Sequence, residues 1–153
     1  PSTSPAMRHG WTLIQTVAFA ETFDVLEAEV ASLAAKDPQG YVSHPKAKLF
    51  KRIVDLILDE IPRDPNALNY QPGNTLGPMH RHWRRAKFLQ RFRLFYRFDS
   101  TARIIIYAWV NDETTLRKAG SRNDPYAVFL RRLEAGVPPD DWAELLATAK
   151  PKP

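Results

Sequence analysis

A chain of 153 residues, 44% hydrophobic and 25% charged, has the size and composition of one globular domain with a real core. It contains no cysteine, which excludes a disulfide framework and thiolate metal sites, and no apolar run approaches the length of a membrane span. Its formal charge of +5 is unevenly placed: residues 80–103 hold 8 basic groups and 1 acid, while residues 1–79 hold 7 and 9, and residues 104–153 hold 7 of each.

In chain order, residues 1–10 (PSTSPAMRHG) read as a loose terminus. Residues 11–17 alternate partly and carry β-branched residues, which predicts a short strand. From Ala18 the period becomes helical: Phe19, Phe23, Leu26, Val30 and Leu33 make an apolar stripe, with Glu21, Asp24, Glu27 and Glu29 largely opposite. Those acids suit the positive end of the helix dipole, and Pro38 with Gly40 stop the helix. A second helix is predicted over residues 45–60, with Pro45 in its first turn, Leu49, Ile53, Leu56 and Ile57 on its buried side, and Pro62 ending it. Such a helical hairpin needs an apolar surface to cover. Residues 62–79, with four prolines and two glycines, form a long irregular connection.

Two alternating strands follow. By the two-residue repeat, Arg85 and Lys87 share one face, and Arg93, Phe95 and Arg97 do the same on the next strand, with Arg91 in the turn between. Ala86, Phe88, Leu94, Tyr96 and Phe98 take the opposite face. Residues 104–110 are apolar on both sides, as in a central strand. The expected product is an α+β domain over residues 1–153: a small antiparallel meander whose apolar face carries the helical hairpin and whose cationic face stays open. Asp124 and Pro125 open a third helix with Tyr126, Phe129, Leu130 and Leu133 on its stripe, and Gly136 stops it. A short last helix runs from about Trp142 to Ala149, and residues 150–153 are a second loose end.

A cationic face attracts and steers polyanions. The residue types suit RNA cleavage, since RNA carries its own nucleophile and the protein need only orient the attack, neutralise the developing charge and move two protons. Arginine donates paired hydrogen bonds to phosphate. A lysine among arginines gives up its proton more readily than in water, so Lys87 is the candidate proton carrier. Phe95, on the cationic face, is the candidate stacking surface for an unpaired base. The competing reading is a merely solvated charged face. His80 and His82 point to one side of a strand, a pattern that can bind zinc. With no third ligand nearby and cations around them, they read instead as a peripheral base or RNA contact. Asp112 and Glu113 form a carboxylate pair after a strand end, where a metal-dependent nuclease could want ligands, but they lack a further carboxylate and read instead as hairpin residues or salt-bridge partners of the arginines. No metal or cofactor is expected. The absence of cysteine, membrane span and secretion leader points to the cytoplasm.

Several segments together resemble a known family: Gly10-Trp11, Lys36-Asp37-Pro38, Thr75-Leu76-Gly77, residues 83–88 (WRRAKF), residues 91–97 (RFRLFYR), residues 109–117 (WVNDETTLR) and residues 136–142 (GVPPDDW). In this order they are similar to the YhaV toxins of bacterial type II toxin–antitoxin systems, within the RelE-like group. The resemblance implies a RelE-like sheet of about four antiparallel strands, two N-terminal helices on one side and C-terminal helices. It also implies a metal-independent messenger-RNA endonuclease, ribosome-associated in many relatives, which arrests translation and growth. The implied partner is a PrlF-type antitoxin with a swapped-hairpin DNA-binding domain, through which the pair binds operator DNA and represses its own operon. Carried onto this chain, the catalytic set is Arg85, Lys87, Arg91, Arg93 and Tyr126. Arg97, Arg117, Lys118, Arg122, His80, His82 and Phe95 form the surrounding RNA contacts. The general base stays open between Lys87, a histidine and Tyr126. A non-catalytic nucleic-acid-binding or regulatory module is the alternative.

Overall fold

The fold was obtained as a computed structural model, which describes residues 5–151. Strands β1 (Ala6–Arg8) and β2 (Trp11–Gln15) form a hairpin through His9 and Gly10, both at positive φ (52° and 82°), as a two-residue turn between twisted strands requires. Helix α1 (Val17–Lys36) starts on Thr16, whose side chain accepts the Phe19 N–H. After a short 3-10 turn comes α2 (Pro45–Asp55). Strands β3 (Arg84–Phe88), β4 (Phe92–Asp99) and β5 (Ile104–Val110) make the predicted antiparallel meander. Helices α4 (Pro125–Ala135) and α5 (Trp142–Thr148) follow, with Gly136 capping α4 at φ 78°.

The second helix outlasts its predicted stop. From α2 the chain passes through a widened π turn (Leu56–Glu60) into a further turn, α3 (Ile61–Arg63), so Pro62 does not end it. The physical reason is visible in the hydrogen bonds. The Ile61 N–H reaches back to the Leu56 carbonyl, which leaves the Ile57 carbonyl facing a proline with no N–H to give. The buried Tyr107 hydroxyl fills that vacancy, donating to the Ile57 carbonyl at 2.6 Å. Burial pushes the Tyr107 hydroxyl well above the usual phenol range, so it serves as a neutral donor.

The sheet is larger than expected and mixed. Its order is β1-β2-β5-β4-β3, with β6 (Lys150–Pro151) also on β2, and β2 runs parallel to β5. Among the described residues the sheet thus has six strands instead of about four antiparallel ones. Both ends of the chain expected to be loose contribute strands to β2, while residues 1–4 and 152–153 lie outside the described residues.

A second correction decides the shape of the site. One sheet face packs on α1 and α2 as expected, with Ala86, Leu94, Tyr96 and Tyr107 beneath Phe19, Phe23 and Ile53. The opposite, cationic face is not open. Phe95, Ile106 and Trp109 lie in a second core with Phe129 and Leu133 of α4 and Leu145 of α5. The Phe95 and Phe129 rings stack 4.2 Å apart and within 7° of parallel. Phe95 is completely buried, so it offers no face for a base.

A register shift in β5 prepares the site. Tyr96 pairs with Tyr107 but Phe95 with Trp109, so Ala108 is an extra residue. Thr16 fastens the bulge by donating its hydroxyl to the Ala108 carbonyl at 2.6 Å. The bulge shifts the strand's parity, placing Val110 in the α1 core and Trp109 in the α4 core, and brings Asn111 beside Arg93.

Candidate active site

Arg85 and Arg93 come from facing strands and share a side of the sheet, yet each is only 7% exposed. Charged residues are buried only when paired, and here the partner is the Tyr126 hydroxyl. Arg85 Nε donates to the Tyr126 hydroxyl at 2.8 Å and Arg93 Nε to the same oxygen at 3.1 Å. Both lone pairs of that oxygen are then used, so its own proton is directed away from the arginines. Arg85 Nη1 is held by the Asn69 carbonyl at 2.8 Å, and Arg93 Nη1 by the Gln90 and Phe92 carbonyls at 3.0 and 2.8 Å. Among the described residues no hydrogen bond occupies Nη2 of either guanidinium. Two fixed forks with a spare terminal nitrogen each are suited to an anionic oxygen.

Tyr126 is placed by the start of α4. Asp124, buried at 3% exposure, accepts the Tyr126 N–H at 3.1 Å, the Lys118 N–H at 2.7 Å and Arg117 Nη1 at 2.8 Å. The Arg117 guanidinium lies 4.7 Å from the centre of the Tyr126 ring, and that of Arg93 5.9 Å. Arg117 also joins the hairpin tip: its N–H donates to the Arg91 carbonyl at 2.9 Å, and Arg91 Nε donates to the Arg117 carbonyl at 3.1 Å. Buried Asn111 locks the same corner. Its amide oxygen accepts the Arg93 N–H at 2.8 Å, while its amide nitrogen donates to the Arg91 and Thr115 carbonyls at 3.2 and 2.8 Å. The hairpin tip itself is strained, with Leu89 and Gln90 both at positive φ (44° and 69°).

The predicted residues therefore fall into three groups. Arg85, Arg93 and Tyr126 form a buried cluster, with half-buried Arg117 against the tyrosine ring. Lys87 stands across from Arg93 in the strand register and is exposed, as are Arg91, Lys118 and Arg122. Arg97, His80 and His82 are turned elsewhere. Arg97 donates Nη1 to the Asp140 carbonyl at 2.5 Å, its guanidinium 5.6 and 5.5 Å from the Trp83 and Trp142 rings. Burial lowers its pKa from the usual range. Asp140 Oδ1 meets His80 Nδ1 at 3.2 Å, His82 Nε2 at 3.0 Å and Trp83 Nε1 at 2.7 Å. Desolvation, aided by the Arg97 charge, lowers the His82 pKa. Desolvation alone would raise the Asp140 carboxyl, but the hydrogen bonds from Trp83, His82 and His80 together bring it below the usual range.

Asp112 accepts from Thr114 and caps a 3-10 turn (Glu113–Thr115) instead of bridging to an arginine. Asn111, Asp124 and Asp140 are functional placements that sequence reasoning missed. For Asp124 the helix-cap pattern was present, but nothing local showed its other partners, the Lys118 N–H and the Arg117 guanidinium. Asp140 is distant in sequence from the histidines it meets.

The α+β architecture, a mixed sheet with helices on both faces, is consistent with the RelE-like fold. Residues 13–150 match the family described as a toxin with endonuclease activity, of toxin–antitoxin systems, and the chain belongs to that family, the YhaV toxins. It is 38% identical over 143 residues to "Ribonuclease toxin YhaV" of Escherichia coli K12 and to "Toxin YhaV" of Escherichia coli O157:H7, covering 92% of this chain and 93% of each relative. No solved structure gives a significant match. No helix among the described residues is long and apolar enough to cross a membrane.

Proposed function

We propose that this toxin is an endoribonuclease that cleaves messenger RNA by attack of the 2′-hydroxyl, on the ribosome, and is neutralised by a PrlF-type antitoxin that carries the pair to operator DNA. The observation that carries the RNA-cleaving reading is the convergence of the Arg85 and Arg93 Nε–H groups on the Tyr126 hydroxyl beneath a rim of exposed cations. The spare Nη2 groups of Arg85 and Arg93 hold the scissile phosphate and stabilise the charge that grows on its oxygens. Tyr126 fixes the spacing of the two forks and directs its own proton outward to the substrate. Lys87, Arg91, Lys118 and Arg122 guide the strand in, and Lys87, on the same strand face as Arg85, is the proton carrier beside the reacting oxygens. The new bond joins the 2′-oxygen to phosphorus, the phosphorus–5′-oxygen bond breaks, and the departing oxygen takes up a proton. The products are a 2′,3′-cyclic phosphate and a 5′-hydroxyl, with no metal in the bond-breaking step.

The test is cleavage of a defined messenger RNA, with and without ribosomes and EDTA, and analysis of the new ends. The expected result is a cyclic or 2′/3′-phosphate end in the presence of EDTA, and no cut where the scissile nucleotide is 2′-deoxy. RNA that is bound with steep salt dependence but left uncut would favour the non-catalytic module. A 5′-phosphate end would show hydrolysis by water and overturn the assignment.

A further inference from the structure

We propose that His80, His82 and Asp140 form a divalent-cation site, suited to zinc, which ties the loop between α4 and α5 to the entrance of β3. The three residues place one ligand atom each within 4.8 Å of one another. Zinc at about 2.0–2.1 Å from its ligands requires tetrahedral edges of roughly 3.3 Å. The separations from Asp140 Oδ1 to His80 Nδ1 and His82 Nε2, 3.2 and 3.0 Å, are already close to that edge.

Hydrogen bonding alone accounts poorly for this cluster. Three nitrogens, those of His80, His82 and Trp83, all face one oxygen of Asp140. A carboxylate oxygen has two lone pairs, so a metal-free cluster either leaves one N–H surplus or sets a bare imidazole nitrogen against the carboxylate oxygen. A cation bound by both imidazoles and Oδ1 removes the conflict: it takes one lone pair and leaves the other to the Trp83 indole at 2.7 Å. Trp83 then acts as the outer hydrogen bond that orients a ligating carboxylate. The surroundings are built for rigidity. Trp83 is fully buried, and Arg97 holds the Asp140 backbone carbonyl while lying near the Trp83 and Trp142 rings. Two imidazole nitrogens with one carboxylate select zinc over magnesium or calcium, and exposed His82 leaves the fourth position to water.

This site belongs to stability rather than to RNA cleavage. Asp140 follows the C-terminal end of α4, whereas Tyr126 lies in its first turn. The cation would fasten the far end of the helix that presents the tyrosine.

The experiment is titration of the untagged, chelator-stripped chain with zinc by calorimetry, and with cobalt(II) by absorption spectroscopy. Expected are one ion per chain at micromolar or lower dissociation constant, tetrahedral cobalt bands, and a raised melting temperature. His80→Ala, His82→Ala and Asp140→Asn should each weaken binding at least tenfold, while His9→Ala and His44→Ala should not. Circular dichroism of every variant, below its melting temperature, guards against a folding artefact. Binding unchanged in a folded His80→Ala/His82→Ala double variant would overturn the site. Cleavage of RNA well below the melting temperature should proceed at the same rate with and without zinc. Loss of cleavage on chelation, with the fold intact, would overturn the separation of this site from the chemistry.

Discussion

Arg85 on β3 and Tyr126 on α4 hold each other at 2.8 Å across the interface between sheet and helix, in a setting that excludes most water. Arg93 reaches the same oxygen from the neighbouring strand. Tyr126→Phe keeps the ring against Phe95 but leaves two guanidinium N–H groups unmatched. Unsatisfied buried donors of this kind cost about 1–3 kcal/mol each, more when charged. The expected outcome is a lower unfolding free energy by roughly that amount and at least tenfold slower single-turnover cleavage. Denaturant melts and product-formation rates on one RNA measure the two effects. Wild-type turnover in the folded variant would remove Tyr126 from the mechanism.

Lys87 is the informative contrast, because it is exposed while its neighbours in the cluster are buried. Lys87→Ala should change stability by no more than about 0.5 kcal/mol, as surface substitutions generally do. RNA affinity should fall, and the salt dependence should flatten by about 0.7 in logarithmic slope if one phosphate contact on a single strand is lost. A proton-carrying role adds a drop in the chemical rate at saturating RNA. Filter binding across a salt series, paired with single-turnover rates, separates the two contributions. Slope and rate both unchanged would make Lys87 a bystander.

The sequence-level reading recovered the meander and the apolar stripes of α1 and α2, because alternation and helical period are local signals. It placed Arg85, Arg93, Lys87 and Tyr126 together through the family resemblance. The burial of Arg85 and Arg93 escaped it, since strand parity says which residues share a face but not what covers that face. The stripe of Tyr126, Phe129 and Leu133 was visible, yet its docking partner was the very face expected to be open. The parallel pairing of β2 with β5 has no local signature either: residues 12–15 find residues 104–107 only through the packing of α1. The bulge at Ala108 hides for the same reason, and with it the position of Asn111.

That burial changes the expected behaviour of Arg93→Ala. An open-face arginine could be removed with the fold intact, but this one donates to Tyr126 and to two backbone carbonyls of the hairpin. The variant should lose cleavage and also melt earlier, by roughly 1.5–3 kcal/mol for hydrogen bonds made by a charged group. Arg93→Lys keeps charge without the planar fork and should remain inactive while recovering part of the stability. A folded Arg93→Lys protein with full activity would show that charge alone suffices.

Asn111 tests whether the corner joining hairpin and loop must be rigid. Its side chain makes three hydrogen bonds, to the Arg93 N–H and the Arg91 and Thr115 carbonyls, so it binds β4 to the segment that leads to Asp124 and Tyr126. Asn111→Ala strands the Arg93 N–H and the Thr115 carbonyl, while the Arg91 carbonyl keeps the Arg117 N–H, at a cost of about 1–3 kcal/mol for each group left unpaired. Asn111→Asp preserves the acceptor for Arg93 but replaces the donor by an oxygen facing two carbonyls, so it should be no better than alanine. Because Asn111 positions Arg93 rather than the RNA, the chemical rate should fall while the RNA dissociation constant, set by the exposed rim, changes by less than about threefold, or roughly 0.6 kcal/mol. Binding and single-turnover rates measured below the melting point give that comparison. A variant that loses RNA binding in step with the rate would place Asn111 in substrate recognition instead.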